Sequence, residues 1–239
     1  ALVHFTASLE EEKARDRWKL KRTIVVPQIV DLENWRVLPD RSSIESRFPQ
    51  IHGCEVILFV GRINWVKNLD LLLSALPAVR RERPRAMLIC AGPDNEGYQS
   101  VLEKQARALG IEDHVIFTGM LQGDLLKSAY ARADVLALVS RKENFGHAAA
   151  EALACGIPVV LSNGVGIGAD WPANDAMIRV EPAPGQIASA LIRTLQRSAA
   201  LGLPDPEARF LARNFLGTFP GAKIAAAYNS VLSNGVGLG

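Results

Sequence analysis

Residues Asp134–Leu161 read DVLALVSRKENFGHAAAEALACGIPVVL. A short apolar run leads into a polar loop, then an alanine-rich segment, then a second short apolar run after Gly156 and around Pro158. The apolar runs have strand length, and Ala148–Cys155 has the composition of a helix. Strand, helix, strand in that order pairs in parallel through a right-handed crossover. The same alternation extends outward on both sides. It predicts strands at Glu55–Val60, Ala86–Ala91, His114–Phe117, Asp134–Val139 and Ile157–Leu161, with a weaker one at Met177–Val180. Between them it predicts helices at Asn68–Arg80 (with Pro77 as a candidate kink), Tyr98–Leu109, Asp124–Arg132, Ala148–Cys155 and Gln186–Arg197. The class is α/β, with a doubly wound parallel sheet.

Such sheets bind ligands outside the carboxyl ends of their strands. The loops after Val60, Ala91, Phe117, Val139 and Leu161 are therefore where chemistry is expected. The first 50 residues do not fit as the opening of this sheet. A strand at Ala1–Phe5, a charged helix at Leu9–Trp18 and a strand at Thr23–Val26 precede a polar, turn-rich stretch from Asp31 to Gly53. The expected organisation is residues 1–30 as the remnant of a preceding domain and a crossing, 31–54 as a linker, 55–220 as the principal domain, and 221–239 as a terminal helix (Ala222–Leu232) and tail. Ala1 is neither a Met nor the start of a signal pattern, so the chain reads as a fragment.

Bulk properties exclude several classes. Twenty-seven basic and 25 acidic residues leave a net charge of +2, so no whole-protein field argues for nucleic acid as a partner. The densest basic run, Arg80, Arg81, Arg83 and Arg85, falls where a helix should end and reads as a dipole-complementing cap. Three scattered cysteines imply neither a disulfide framework nor a zinc site, and fit reduced core thiols in a cytoplasmic protein. No apolar run reaches the ~18–20 residues that span a bilayer. There is no Asp-x-Asp and no cluster at metal-ligand spacing, so no metal and no cofactor is expected.

The loop after Val60 carries Gly61, Arg62 and Lys67 before a helix start. A forked and a point positive charge suit a diphosphate, and cations at a helix N-terminus are otherwise unfavourable. Gly92–Tyr98 reads as a turn with a helix cap. Thr118–Gly123 is either a plain strand-to-helix turn or a place where two glycines, with apolar residues between them, let backbone groups approach a planar base. The loop after Val139 is the strongest feature: Glu143, Asn144, Phe145, Gly146 and His147 lead into Ala148-Ala149-Ala150-Glu151. A helix opening at Phe145 or Gly146 would aim unpaired N–H groups at the cleft, a ready anion site. Glu143 and Glu151 would then flank a phosphate with acceptor-only groups suited to vicinal hydroxyls. A capping Glu143 and a solvated Glu151 stand as the equal alternative. The side chain of His147 reads as a partly exposed polar group.

With these residues in view, the chain resembles the C-terminal, donor-binding half of the family 4 (group 1) retaining glycosyltransferases, which pair two Rossmann-like domains in the GT-B fold. The resemblance spans roughly Val25–Tyr228 and rests on G-R-x4-K at Gly61–Lys67, the F-T-G turn, and E-N-F-G-x4-E at Glu143–Glu151. It implies a nucleotide-sugar donor, with Arg62 and Lys67 on its diphosphate and Glu143 on hydroxyls of the transferred sugar. By the same resemblance, the amides of Phe145, Gly146 and His147 cradle the distal phosphate, Glu151 holds the ribose, and Met120 and Leu121 lie near the base. Val25–Asp31 would be the crossing between domains, where Gln28 and Ile29 depart from the usual Pro-Asn-Gly-Val-Asp. The acceptor, a glycan or lipid-linked sugar, would bind an N-terminal domain missing here, leaving this piece little activity alone. The implied location is cytoplasmic, with peripheral attachment at the inner membrane surface open.

Two other readings compete. Gly164–Ala169 matches the G-x-G-x-x-A of nicotinamide-dependent dehydrogenases, but Trp171-Pro172 interrupts the helix it should open. A non-catalytic nucleotide-binding module is the other alternative.

Overall fold

Six short apolar runs form one parallel sheet, each strand following the last through a helix, in the computed structural model of the chain. The structure describes residues 3–26, 28, 30–172 and 174–216, together with 225, 228, 229 and 233. The chain runs β1 (Val3–Phe5), α1 (Ser8–Trp18), β2 (Thr23–Val25), α2 (Leu32–Arg36), α3 (Ser42–Arg47), β3 (Glu55–Val60), α4 (Leu69–Glu82), β4 (Ala86–Ala91) and α5 (Gln99–Ala108). It continues through β5 (Val115–Gly119), α6 (Gly123–Arg132), β6 (Val135–Leu138), α7 (His147–Cys155), β7 (Val159–Ser162), α8 (Gly166–Asp170), β8 (Met177–Val180), α9 (Pro184–Leu201) and α10 (Pro206–Leu211).

The large sheet has the order β5-β4-β3-β6-β7-β8, every pair parallel. The chain winds from β3 outward through β4 to β5, then returns to the other side of β3 with β6. The order therefore reverses between β3 and β6, the switch point at which such sheets open a ligand crevice. Helices α4, α5 and α9 form one layer, and α6 and α7, with α2, α3 and α10 against them, form the other. The inner strands are apolar along their whole length because both faces are covered: all residues of β4, β6 and β7 are buried.

Element ends shift slightly from the sequence expectation for local reasons. β7 begins at Val159 because Pro158 has no N–H to give the ladder, although its carbonyl accepts from Leu136 N at 3.0 Å. α9 starts at Pro184, a residue preset for the first helical position, and stops at Gly202. The basic run past α4 is tied down as expected of a cap: Arg80 donates to Ala86 O at 2.7 Å and Arg83 pairs with Glu55.

The stretch expected as a linker differs most. Residues 31–54 carry α2, α3 and a short 3-10 turn at Pro49–Ile51, and they bury Trp35, Ile44 and Ile51 in the core. Two side chains one turn apart on α6 secure it. Ser128 Oγ accepts from Ile44 N at 3.0 Å and donates to Asp40 O at 3.1 Å. Arg132, almost fully buried, donates to Ile51 O at 3.0 Å and meets Glu45 at 3.0 Å and Asp134 at 3.2 Å. Its polar composition concealed three apolar anchors, too sparse to register as a periodic face.

Upstream, β1 and β2 pair in parallel as a separate two-stranded sheet joined by α1. α1 packs against α8, burying Ala7 at its start. The expected crossing at Val25–Asp31 includes residues 27 and 29, and the helix expected at Ala222–Leu232 includes mostly residues outside the described ones. Among the described residues no helix is long and apolar enough to cross a membrane.

Candidate functional site

The loops that leave β3 and β6 at the switch point are bound together by one buried asparagine. Asn68, the N-cap of α4, takes φ +52°, a left-handed conformation that Asn tolerates better than most residues. Its Nδ2 donates to Val139 O at 2.9 Å, and its Oδ1 accepts from Arg141 Nε at 2.7 Å. The Arg141 amide returns to Val66 O at 2.8 Å, and its guanidinium lies 5.7 Å from the exposed Trp65 ring. Further main-chain bonds join each loop to the next: Gly61 N to Ala91 O, Gly92 N to Gly119 O, and Ile63 N to Pro93 O, all 2.9 Å. A Cβ on Gly92 would stand 1.9 Å from Gly61 O, so the β3 and β4 loops meet only because glycine is there.

Lys67, at the end of a 3-10 turn, forms an ion pair with Glu143 across the crevice; the two side chains are 14% and 24% exposed. Arg62 stands exposed on the same loop and has no hydrogen bond or ion pair with any described residue. The structure thus brings Lys67 and Glu143 face to face, with Gly61 and Arg62 on the same β3 loop as Lys67.

α7 opens at His147 rather than at Phe145 or Gly146. Gly146 is its N-cap at φ +99°, where a side chain would also strike Val165 Cγ1 at 2.8 Å. The Gly146 carbonyl takes the amides of Ala149 and Ala150 at 3.0 and 3.1 Å, leaving those of His147 and Ala148 without an acceptor among the described residues. This is the exposed donor set that a helix start offers an anion. The His147 side chain is exposed, as expected, with its ring 5.3 Å from Phe145, which is itself buried. Asn144 is exposed and donates to Glu10 Oε1 of α1 at 2.7 Å, so the upstream segment touches this loop.

Glu151 stands one turn beyond His147, on the same side of α7 and about 6 Å further along it at ~1.5 Å per residue. The solvated alternative does not describe it. It is half-buried and accepts a 2.7 Å hydrogen bond from the hydroxyl of Tyr130, which is fully buried. Burial raises the Glu151 carboxyl above the usual carboxylate range, opposed by the Tyr130 hydrogen bond. The remaining two candidates divide. Met120 is 63% exposed at the end of β5, while Leu121 is buried and packs in the core. With strands ~4.8 Å apart, Met120 lies two strands, roughly 10 Å, from the β3 loop.

Several residues escaped the sequence reading. Asn64 Oδ1 and Ser140 Oγ are buried without a hydrogen-bond partner among the described residues, and both belong to the loops that build the crevice. Such atoms cost about 1–3 kcal/mol each unless something polar meets them. Gly164 and Gly166, read as part of a dehydrogenase fingerprint, do something else. Cβ atoms there would fall 2.4 Å from Arg141 O and 1.9 Å from Asn144 O. Their segment runs beside the Glu143 loop: Glu143 N donates to Gly164 O, and Gly166 N to Glu143 O, both at 3.0 Å. Ile167 N then donates to Phe145 O at 2.9 Å. The helix that follows, α8, has only five residues, so the glycines brace a neighbouring loop rather than open a crossover helix. No group of three His, Cys, Asp or Glu among the described residues is placed to hold a metal ion.

Fold and site together define a Rossmann-like domain whose switch-point crevice carries cations and an open helix start. The chain belongs to the glycosyl transferases group 1 family, whose model matches residues 41–199. A D-inositol 3-phosphate glycosyltransferase of Kineococcus radiotolerans is 36% identical over 146 residues, 58% of this chain and 34% of that protein. An uncharacterized glycosyltransferase of Methanocaldococcus jannaschii is 40% identical over 109 residues, 46% of this chain and 27% of that protein. Among solved structures, Anabaena HepE in complex with UDP-glucose superposes with a TM-score of 0.80 at 22% identity, covering 96% of this chain and 64% of that one. The sucrose-phosphate synthase of Thermosynechococcus elongatus gives 0.74 at 24% identity, covering 98% and 58%. These structures share the GT-B fold. The chain thus spans about a third of the curated relatives and three fifths of the solved chains.

Proposed function

We propose that this chain is the donor-binding half of a retaining glycosyltransferase that passes a hexosyl group from a nucleotide-diphosphate sugar to an acceptor without a metal ion. The observation that carries the reading is the convergence of Arg62, the Lys67–Glu143 pair and the open start of α7 on one switch-point crevice. The names of the curated relatives and the UDP-glucose in a structural neighbour support it.

Arg62 and Lys67 contact the diphosphate, and the amides of Phe145, Gly146 and His147 take its distal phosphate. Glu143, with Asn144 beside it, engages the transferred sugar, Glu151 holds the ribose, and Met120 lies beside the base. As the sugar–phosphate bond breaks, negative charge gathers on the departing nucleoside diphosphate. Lys67, Arg62 and the helix start supply the positive potential that offsets this charge, a kind of stabilisation worth several kcal/mol at comparable oxyanion sites. Lys67 must then exchange Glu143 for phosphate, which frees Glu143 to accept from sugar hydroxyls. The acceptor, a glycan or lipid-linked sugar, belongs to the facing half of the enzyme; a lipid-linked one would bring the protein to the inner membrane surface.

Calorimetry with UDP, GDP, ADP and their sugars tests the reading. One nucleotide should bind, and Lys67→Ala and Arg62→Ala should each weaken it about tenfold, as expected for hydrogen bonds to charged groups. Undiminished binding in both variants, or a soaked nucleotide lodged away from this crevice, would overturn it.

A further inference from the structure

Tyr130 is the one side chain from outside α7 that hydrogen-bonds to Glu151 among the described residues, and its placement is unusually constrained. It lies on α6, fully buried, with its hydroxyl 2.7 Å from Glu151 Oε2 and 3.4 Å from Ala148 O. Its ring is held edge-on by Trp35 of α2, with centroids 4.9 Å apart and planes at 70°. A hydroxyl so placed can serve the backbone or the carboxylate, and the carboxylate is the nearer and better-charged acceptor.

From this geometry we infer that Tyr130 is a positioning residue for nucleotide binding: its hydroxyl fixes the Glu151 carboxylate so that the free oxygen faces the ribose hydroxyls. The inference rests on the assignment of Glu151 to the ribose. One carboxylate oxygen is occupied by Tyr130, and a carboxylate accepts only, so the other can take vicinal hydroxyl protons. The buried phenol is held well above its usual pKa by burial first, then by Glu151, so it remains a donor throughout the working range. The other titratable groups nearby are Cys155, a turn along α7, and beyond it Lys127 of α6 and Arg209 of α10, which act on Cys155. From α2 the Trp35 ring contributes no charge. Burial makes protonation of Glu151 easier and the Tyr130 bond resists it.

The test compares wild type, Tyr130→Phe and Glu151→Gln by calorimetry across pH. The probe is the tightest binder among UDP, GDP and ADP, together with its 2′,3′-dideoxy analogue. Tyr130→Phe removes one oxygen from a core position and should weaken the ribonucleotide roughly tenfold. The dideoxy analogue should be nearly unaffected. Because the ionised carboxylate is the binding form, affinity falls as pH drops through the Glu151 pKa. Removing the donor moves that fall to higher pH, a shift that general loosening of the core would not produce. Wild-type affinity and an unmoved pH profile in Tyr130→Phe, with Glu151→Gln impaired, would overturn the inference alone. Glu151→Gln binding ribo and dideoxy nucleotides as wild type does would overturn the ribose assignment beneath it. If Tyr130→Phe does not fold, NMR of the wild-type chain decides. A slowly exchanging Tyr130 hydroxyl proton that shifts on Glu151 substitution supports the inference, and a freely exchanging one removes it.

Discussion

Lys67 and Glu143 neutralise each other across the crevice while Arg62, a few residues away, has no partner among the described residues. Substituting Arg62 by Ala should therefore leave thermal stability within about 0.5 kcal/mol, as for most surface changes, while lowering nucleotide affinity. Lys67→Ala should cost both, because it strands a carboxylate that is only 24% exposed. Glu151 gives the opposite balance. Its folded pKa lies above the unfolded value, so acidification through that pKa protonates the native state first and stabilises it relative to neutral pH. Glu151→Gln should accordingly raise the melting temperature at pH 7 and flatten the acid side of the stability profile, even as ribose recognition is lost. Differential scanning calorimetry from pH 4 to 8 checks this, and a lower melting temperature for the variant at pH 7 would contradict it. These side chains were legible in the sequence as types at strand ends. Their pairing was not: Lys67 lies 76 residues from Glu143, and Tyr130 lies 21 from Glu151. Periodicity reports which face of an element is apolar, not which partner it meets.

Elements were the most readable level. Strand and helix identities follow from run length and alternation, and differences at their ends trace to single residues such as Pro158 and Gly202. The glycines of the β7–α8 turn match a dinucleotide fingerprint that Trp171-Pro172 already argued against, but the pattern does not say what their missing Cβ atoms make room for. Gly166→Ala should push a methyl into Asn144 O and Ala7 Cβ. It should destabilise by about 1–3 kcal/mol, the usual cost of overpacking, and reduce nucleotide affinity through the Glu143 loop. Gly185→Ala makes the control. It sits in the first turn of α9 with nothing within 4 Å of a new Cβ, and should stabilise by about 0.4–1 kcal/mol. Chemical denaturation of both variants measures the pair, and equal effects would show that the close approach at Gly166 is inconsequential.

Across the whole molecule, the doubly wound class was legible, while the reach of residues 31–54 was hidden by their polarity. Trp35 joins that segment to Tyr130, so Trp35→Ala should cost about 3–5 kcal/mol, as large-to-small core changes of this size do. Proteolysis should then begin within residues 31–54, and nucleotide affinity should fall although Trp35 lies outside the crevice. An unchanged cleavage pattern would show the segment to be held by its other anchors, Ile44 and Ile51 in the core and the bonds to Ser128 and Arg132. The crevice rim, by contrast, is sewn from peptide groups, strand end to strand end. Apart from Asn68, whose side chain ties the β3 and β6 loops, exchange of a side chain leaves such stitching intact, whereas proline or a disallowed bulk at a glycine cuts it. Exposed positions such as Met120 and His147, together with Asn144, whose one side-chain bond goes to Glu10 of α1, are thus at liberty to drift without renegotiating the architecture. A saturation library at those three sites should stay mostly folded, where a proline scan of the same loops should not.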